Sequence, residues 1–313
     1  MHIEGTEKKA ARNRERQGTG RLRWENGKGL NQLKIAEIID KIKAFHPPID
    51  ESRTCDTVKC GNPDQECTGV VVTVYASVEV IQETAKAGAN LIVCHEPLFF
   101  SHNDTVDWLE GNTVYEEKAK LLEQHGIVVW RNHDHIHGGS PSRVRNHMDL
   151  IFYGLMQELG WEQYCIGFDK KPMLYEIPET TGRNLAAELV RKLNLEGARI
   201  VGNLDARVRR VFFCEHVSAA QFGNRQPDCE AIQEIEKEGY DALIPFEIVD
   251  WTLSEYVRDA AQLGRNKVLI EMGHFNVEEL AMKYMLNWLP GLLAEDVPVH
   301  FVQSGDSFHY ITA

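Results

Sequence analysis

Three short segments carry the side chains best able to do chemistry: CHEPLFF from Cys94, RNHDHIHGG from Arg131 and GHFNVEE from Gly273. Each follows an apolar run that reads as a strand, so each falls on a loop at a strand's carboxyl end, where α/β proteins bind ligands. Imidazole and carboxylate together suit zinc, manganese, iron or nickel, whereas magnesium and calcium prefer oxygen-only shells. In the second segment His133, His135 and His137 alternate, so an extended chain would turn all three imidazoles to one side. In the third, His274 and Glu278 are four apart. Asn276 with Glu279 reads as a capping box that starts a helix at Val277 and leaves Glu278 in the first turn near His274. A carboxylate there would also stabilise the helix dipole by roughly 0.3–1 kcal/mol, and a strand-end histidine can simply bond to backbone. The neighbouring histidine for Glu278, and the adjacency of His95 and Glu96 before Pro97, favour metal binding in both places.

These loops need a scaffold that brings them together, and the flanking pattern supplies one. Leu33, Ile35, Ile38, Ile39, Ile42 and Phe45 recur at helical spacing over Asn31 to Phe45, and Pro47-Pro48 ends that helix. Val70 to Val74 is a β-branched strand, Val78 to Ala87 a helix closed by Gly88, and Leu91 to Cys94 a second strand. A helix over 113–125 and a strand from Ile127 to Trp130 follow. Short buried strands separated by helices of this length imply parallel βαβ connections. The second half repeats the plan: AKAGANLIVCHE, ending at Glu96, aligns with EKEGYDALIPFE, ending at Glu247, and Val268 to Met272 would correspond to Ile127 to Trp130. The expected architecture is an α/β protein of two duplicated lobes, residues 31–165 and 166–313, with mostly parallel strands and a shared cleft.

Composition sets the outer limits. With 313 residues and 43% hydrophobic content the chain can bury two cores. Its longest apolar run, Gly69 to Ala76, is far short of the ~20 residues that span a bilayer, and no apolar signal segment opens the chain, so a cytoplasmic protein is expected. Seven cysteines, an odd number, point to reduced thiols; Cys55, Cys60 and Cys67 are close together but not in CxxC spacing. The net charge of −13 repels nucleic acid and anionic membrane. Residues 1–30 carry eight Lys or Arg against four Glu with few apolar side chains, which reads as a disordered basic extension and leaves the remainder near −17.

The three segments, in this order, resemble the NIF-three-like family, dinuclear metal centre hexameric proteins that include GTP cyclohydrolase type 2 homologues. The resemblance runs from about Asn31 to the C-terminus. That family carries GANLIxxHHPLxF, HTNLDxxxGG and GHYxTE segments; here GANLIVCHEPLFF, HDHIHGG and GHFNVEE stand in their places. The resemblance implies a three-layer α/β fold, a toroidal homohexamer and two divalent metal ions (zinc, manganese, iron or nickel) held by His95, Glu96, His137, His274 and Glu278. Two positions depart from the family: Glu96 replaces a histidine and His137 an aspartate, so three histidines and two carboxylates are kept. His133 falls on a family histidine, which implies proton transfer or a place behind the ligands; His135 has no counterpart of its type. By resemblance the function is that of a metal-dependent hydrolase acting on a nucleotide-like or phosphorylated small molecule. The alternative is a metal-containing binding or regulatory protein without turnover. A relation to the metallo-β-lactamase HxHxDHxGG signature fails for want of the aspartate before the last histidine, and its lead-in is wrong.

Overall fold

The computed structural model describes residues 33–139, 148–166, 173–214, 227–293 and 296–311, without the side chains of 227–231. The basic extension lies outside the described residues. In the first half the chain runs α1 (Ile35–Phe45), β1 (Val58–Cys60), β2 (Val70–Thr73), α2 (Val78–Lys86), β3 (Leu91–Cys94), α3 (Thr113–Gln124), β4 (Val128–Arg131), α4 (Asp134–Gly138) and α5 (Leu150–Leu159). It continues through β5 (Leu174–Thr181), α6 (Gly182–Leu193), β6 (Arg199–Gly202), β7 (Arg207–Phe212), α7 (Pro227–Glu238) and β8 (Ala242–Leu243). Last come α8 (Leu253–Gln262), β9 (Val268–Glu271), α9 (His274–Tyr284) and β10 (Val299–Phe301).

Among the described residues the strands form two five-stranded sheets, ordered β1-β4-β3-β2-β10 and β5-β7-β8-β9-β6. The unit β2-α2-β3-α3-β4 of the first sheet reappears as β7-α7-β8-α8-β9 in the second, and within each unit neighbouring strands are parallel. The final strand β10 returns to the first sheet and lies parallel to β2. The repeat extends to backbone detail. Gly88 and Gly239, aligned in the two halves, both close a helix with left-handed backbone, φ +72° and +68°, where glycine avoids the Cβ clash.

Strands β2, β3, β4 and β9 are buried along their whole length, which is why they read as continuous apolar runs and not as alternating ones. Leu91 and Val93 face the large core that also takes in α1, α5, α6 and α9 between the sheets. Ile92 and Cys94 face the outer layer of α2 and α3. The second sheet has its own outer layer, built on Ile235, Leu253 and Val257 of α7 and α8. Helices thus cover both faces of each sheet, which leaves the strand ends and their loops as the places where polar side chains can gather.

Two local expectations are corrected. The run 134–138 is helical, not extended, so His133 and His137 lie one turn apart on one side and His135 points the other way. The helix carrying Glu278 begins at His274, not Val277, with Gly273 as its N-cap. Asn276 does not cap it; its Nδ2 donates to the Met272 carbonyl at 2.7 Å, and Glu279 accepts from the Ser304 amide. The early start depends on Gly273, whose φ of +91° with ψ of 139° lets the chain turn straight from β9 into α9. A Cβ there would stand 2.9 Å from Asn276 Nδ2. Gly273→Ala is therefore expected to cost roughly 1–3 kcal/mol, seen as a lowered Tm in a thermal melt; an unchanged Tm would contradict this turn.

Candidate metal centre

The five residues assigned to metal, and His133 with them, meet at the carboxyl ends of β3, β4 and β9. His95 and Glu96 follow β3 directly; their amides both donate to the Val74 carbonyl, at 3.0 and 2.8 Å, which fixes the turn. His133 and His137 sit at either end of α4. Across from them, His274 and Glu278 share one face of α9. His274 Nε2 lies 3.1 Å from Glu96 Oε1 and 3.1 Å from Glu278 Oε2, so side chains from the two sheets touch. His95 Nε2 is 3.5 Å from that same Glu278 oxygen. The rings of His95, His133 and His137 form a cluster, with centroids 4.7, 5.1 and 4.8 Å apart. Donor atoms of His95, His133 and His137 lie within 4.8 Å of one another, and so do those of His95, Glu96 and Glu278.

The outward nitrogen of each imidazole is tied to a protein oxygen. Nδ1 of His95 faces the Asn132 carbonyl at 3.2 Å, that of His133 the Asp134 carboxylate at 2.8 Å, and that of His137 the Asp149 carboxylate at 2.8 Å. For His274 the partner is Glu247, at 3.2 Å. This is the arrangement by which proteins set the tautomer and direction of metal-binding histidines, leaving Nε2 as the donor. The deepest of them fits it as well. His95 Nε2 is fully buried, with Glu278 Oε2 3.5 Å away and no hydrogen bond of good geometry, a costly state for a polar atom unless a further group satisfies it.

Charge is balanced against burial. Burial alone would lower the His274 pKa, but Glu247, Glu278 and Glu96 outweigh it and push it up to about 12. Burial would raise Glu278, yet His95 and His274 hold it well below the usual carboxylate range, and His274 and His95 likewise hold Glu96 down against burial. His133 goes the other way, lowered to about 4 by burial and by the neighbouring His95 and His137. A dication replacing the His274 proton would keep the carboxylates compensated. Because His274 must give up that proton to coordinate, and His95, which Glu278 and Glu96 raise against burial, must give up any it holds, cation binding at pH 7 is expected to release at least one proton, and affinity should rise with pH. Calorimetry in buffers of different ionisation enthalpy measures this; pH-independent binding without proton release would contradict it.

Residues 33–307 match the family described as Duf34/NIF3 (NGG1p interacting factor 3). The chain belongs to this family. A GTP cyclohydrolase 1 type 2 homolog of Staphylococcus aureus (strain COL) is 25% identical over 251 residues, 77% of this chain and 60% of that protein. One of the same name from Clostridium perfringens (strain 13 / Type A) is 24% identical over 260 residues, covering 79% and 87%. The chain thus spans about 60% of the length of the Staphylococcus relative. The crystal structure of a Bacillus cereus protein related to NIF3 superposes with a TM-score of 0.63 at 14% identity, over 90% of this chain and 100% of that one. The Duf34/NIF3 α/β fold expected from the three segments is therefore present. Among the described residues no helix is long and apolar enough to cross a membrane.

Several residues that hold this cluster in the Duf34/NIF3 fold were not legible in the sequence. Asp149 reads as an ordinary helix cap; it does cap α5, accepting from the Ile151 amide at 2.9 Å, while its second oxygen holds His137. Glu247 had a signal, since it is the repeat counterpart of Glu96. Buried Arg131 supports both neighbours, its Nε donating to the His95 carbonyl at 2.8 Å and its Nη2 standing 3.7 Å from Glu96 Oε2. His135, which the alternation grouped with the others, is engaged on both nitrogens, by Asp56 at 2.7 Å and Glu51 at 3.1 Å.

Proposed function

We propose that this chain holds two divalent cations through His95, Glu96, His137, His274 and Glu278, and that it is a metal-dependent hydrolase of a nucleotide-like or phosphorylated small molecule. The observation that carries the reading is the gathering of four imidazoles, each with Nδ1 on a protein oxygen, around the carboxylates of Glu96 and Glu278, which His274 Nε2 and His95 Nε2 face. When bound, a pair of cations would supply Lewis acidity and an activated water, the chemistry of two-metal hydrolases. The chain's own residues do the rest. Asp149 and Glu247 orient His137 and His274, and Arg131 steadies Glu96 from below. The surroundings of His133 favour a ligand's part over the proton transfer expected of it. Its ring lies as near to His95 and His137 as theirs lie to each other, and its Nδ1 is committed to Asp134. The substrate class rests on the names of the Staphylococcus and Clostridium relatives.

The test is a screen of the metal-loaded protein against nucleoside triphosphates and simple phosphoesters, beside His274→Ala. Turnover by the parent chain that disappears in a folded His274→Ala supports the hydrolase. Two bound cations with no turnover on any substrate would turn the assignment to a metal-containing binding or regulatory protein.

A further inference from the structure

The six side chains at the centre do not form one uniform shell. We propose that they make two compartments of different chemistry, a nitrogen-only one from His95, His133 and His137 and a carboxylate-rich one from His274, Glu96 and Glu278, and that these select two different cations. The inference rests on the dinuclear reading above and adds to it the identity of each half.

His95 is within reach of both sets, its donor atom lying within 4.8 Å of those of His133 and His137 and of those of Glu96 and Glu278, so the partners of the other five residues decide its place. The rings of His95, His133 and His137 are mutually within 5.1 Å. His274 stands with the carboxylates, its Nε2 at 3.1 Å from an oxygen of each, and its ring packs on Phe246 and Phe275. His95 can serve one cation only, because its Nδ1 faces the Asn132 carbonyl. The carboxylate group already has an imidazole of its own in His274, so His95 completes the nitrogen set. Glu278 Oε2 lies between the two groups, 3.1 Å from His274 Nε2 and 3.5 Å from His95 Nε2, so this carboxylate borders both sets.

The two sets ask for different metals. Three neutral imidazoles carry no charge and match a borderline cation that accepts tetrahedral geometry with an open fourth position, as zinc does. One imidazole with two carboxylates carries a charge of −2 and suits a harder, oxygen-seeking ion such as manganese. A histidine at 137 completes the nitrogen set, and a glutamate at 96 enriches the carboxylate set, with Arg131 on its outer side.

Protein stripped by a chelator, mixed with one equivalent each of Zn²⁺ and Mn²⁺ and then desalted, is expected to keep one of each. Anomalous diffraction at the zinc edge should place zinc among the three imidazoles. His133→Ala should lower zinc retention by more than about tenfold while manganese stays. His133→Asn, which keeps a polar group beside Asp134, should lose zinc equally. Glu96→Gln should give the converse loss of manganese. Zinc and manganese mixed in both compartments, or zinc retained at full level in both His133 variants, overturns the partition while two cations still bind. Uptake of neither metal overturns the dinuclear reading and the partition together.

Discussion

Exchange of Glu278 for glutamine is expected to remove at least one of the two cations and abolish turnover while the chain stays folded. The carboxylate is buried, with one oxygen between His274 and His95, so no water can take over its charge. The amide is nearly the same size and leaves the packing of α9 intact, but it is neutral and a poor ligand for a divalent ion. Cation affinity should fall by more than about 100-fold, since even loss of an outer partner costs about 10- to 100-fold. The loaded parent should also outlast the variant on heating, because a ligand at 100 times its Kd contributes about 2.7 kcal/mol to the folded state. Titration followed by thermal melts reads both effects. A variant that retains two cations and the parent's Tm gain would remove Glu278 from the centre.

The second large effect is expected at Asp56, which touches no cation in this account. Its buried carboxylate accepts from the backbone amides of His133, Asp134 and His135 at 2.7, 3.0 and 2.8 Å, and from His135 Nδ1 at 2.7 Å. One side chain therefore gathers the start of α4 and sets the positions of both His133 and His137. Asp56→Ala would leave three buried donors unsatisfied and the His135 ring without its partner, a loss on the order of 3–5 kcal/mol. Asp56→Asn keeps one acceptor oxygen and should lose less. The acid dependence has a definite sign. Burial would raise the Asp56 carboxyl, but His135 and the backbone amides more than compensate and hold it below its ordinary value. Its contribution to stability is thus complete above the unfolded value of roughly 4 and is lost as pH falls from there through the folded value. Denaturant melts of parent and Asp56→Ala should be furthest apart near neutrality and converge in acid; a constant gap across pH would contradict this role.

How much of this was legible in the residues varies with the physics involved. The buried parallel strands were, because VVVT and LIVC have no polar face and can only lie in a covered sheet. The repeat was legible in GANLIVCHE against GYDALIPFE, and the shared left-handed glycines show why the alignment is structural. The short helix 134–138 was not, because three alternating histidines mimic a strand's period and Asp56, whose carboxylate draws the turn closed, lies nearly eighty residues earlier. The start of α9 was displaced for a related reason. Asn276 and Glu279 satisfy the capping-box spacing, but Gly273 can take a backbone conformation that lets the helix begin three residues sooner, and both side chains then find tertiary partners. The residues that cluster at the strand ends were legible by type. Their orienting partners Asp149 and Arg131 were not, since a helix cap and a strand-end arginine look the same whether or not a histidine or a carboxylate lies beyond them.

The most direct measurement is metal-edge anomalous diffraction from crystals of protein purified without chelators. A dinuclear centre requires two peaks about 3.5–4 Å apart, one against His95 and His137 and the other against His274 and Glu96, each about 2.0–2.2 Å from its ligand atoms. Peaks at other side chains, or fully ordered imidazoles at 95, 137 and 274 with no peak among them, would contradict it.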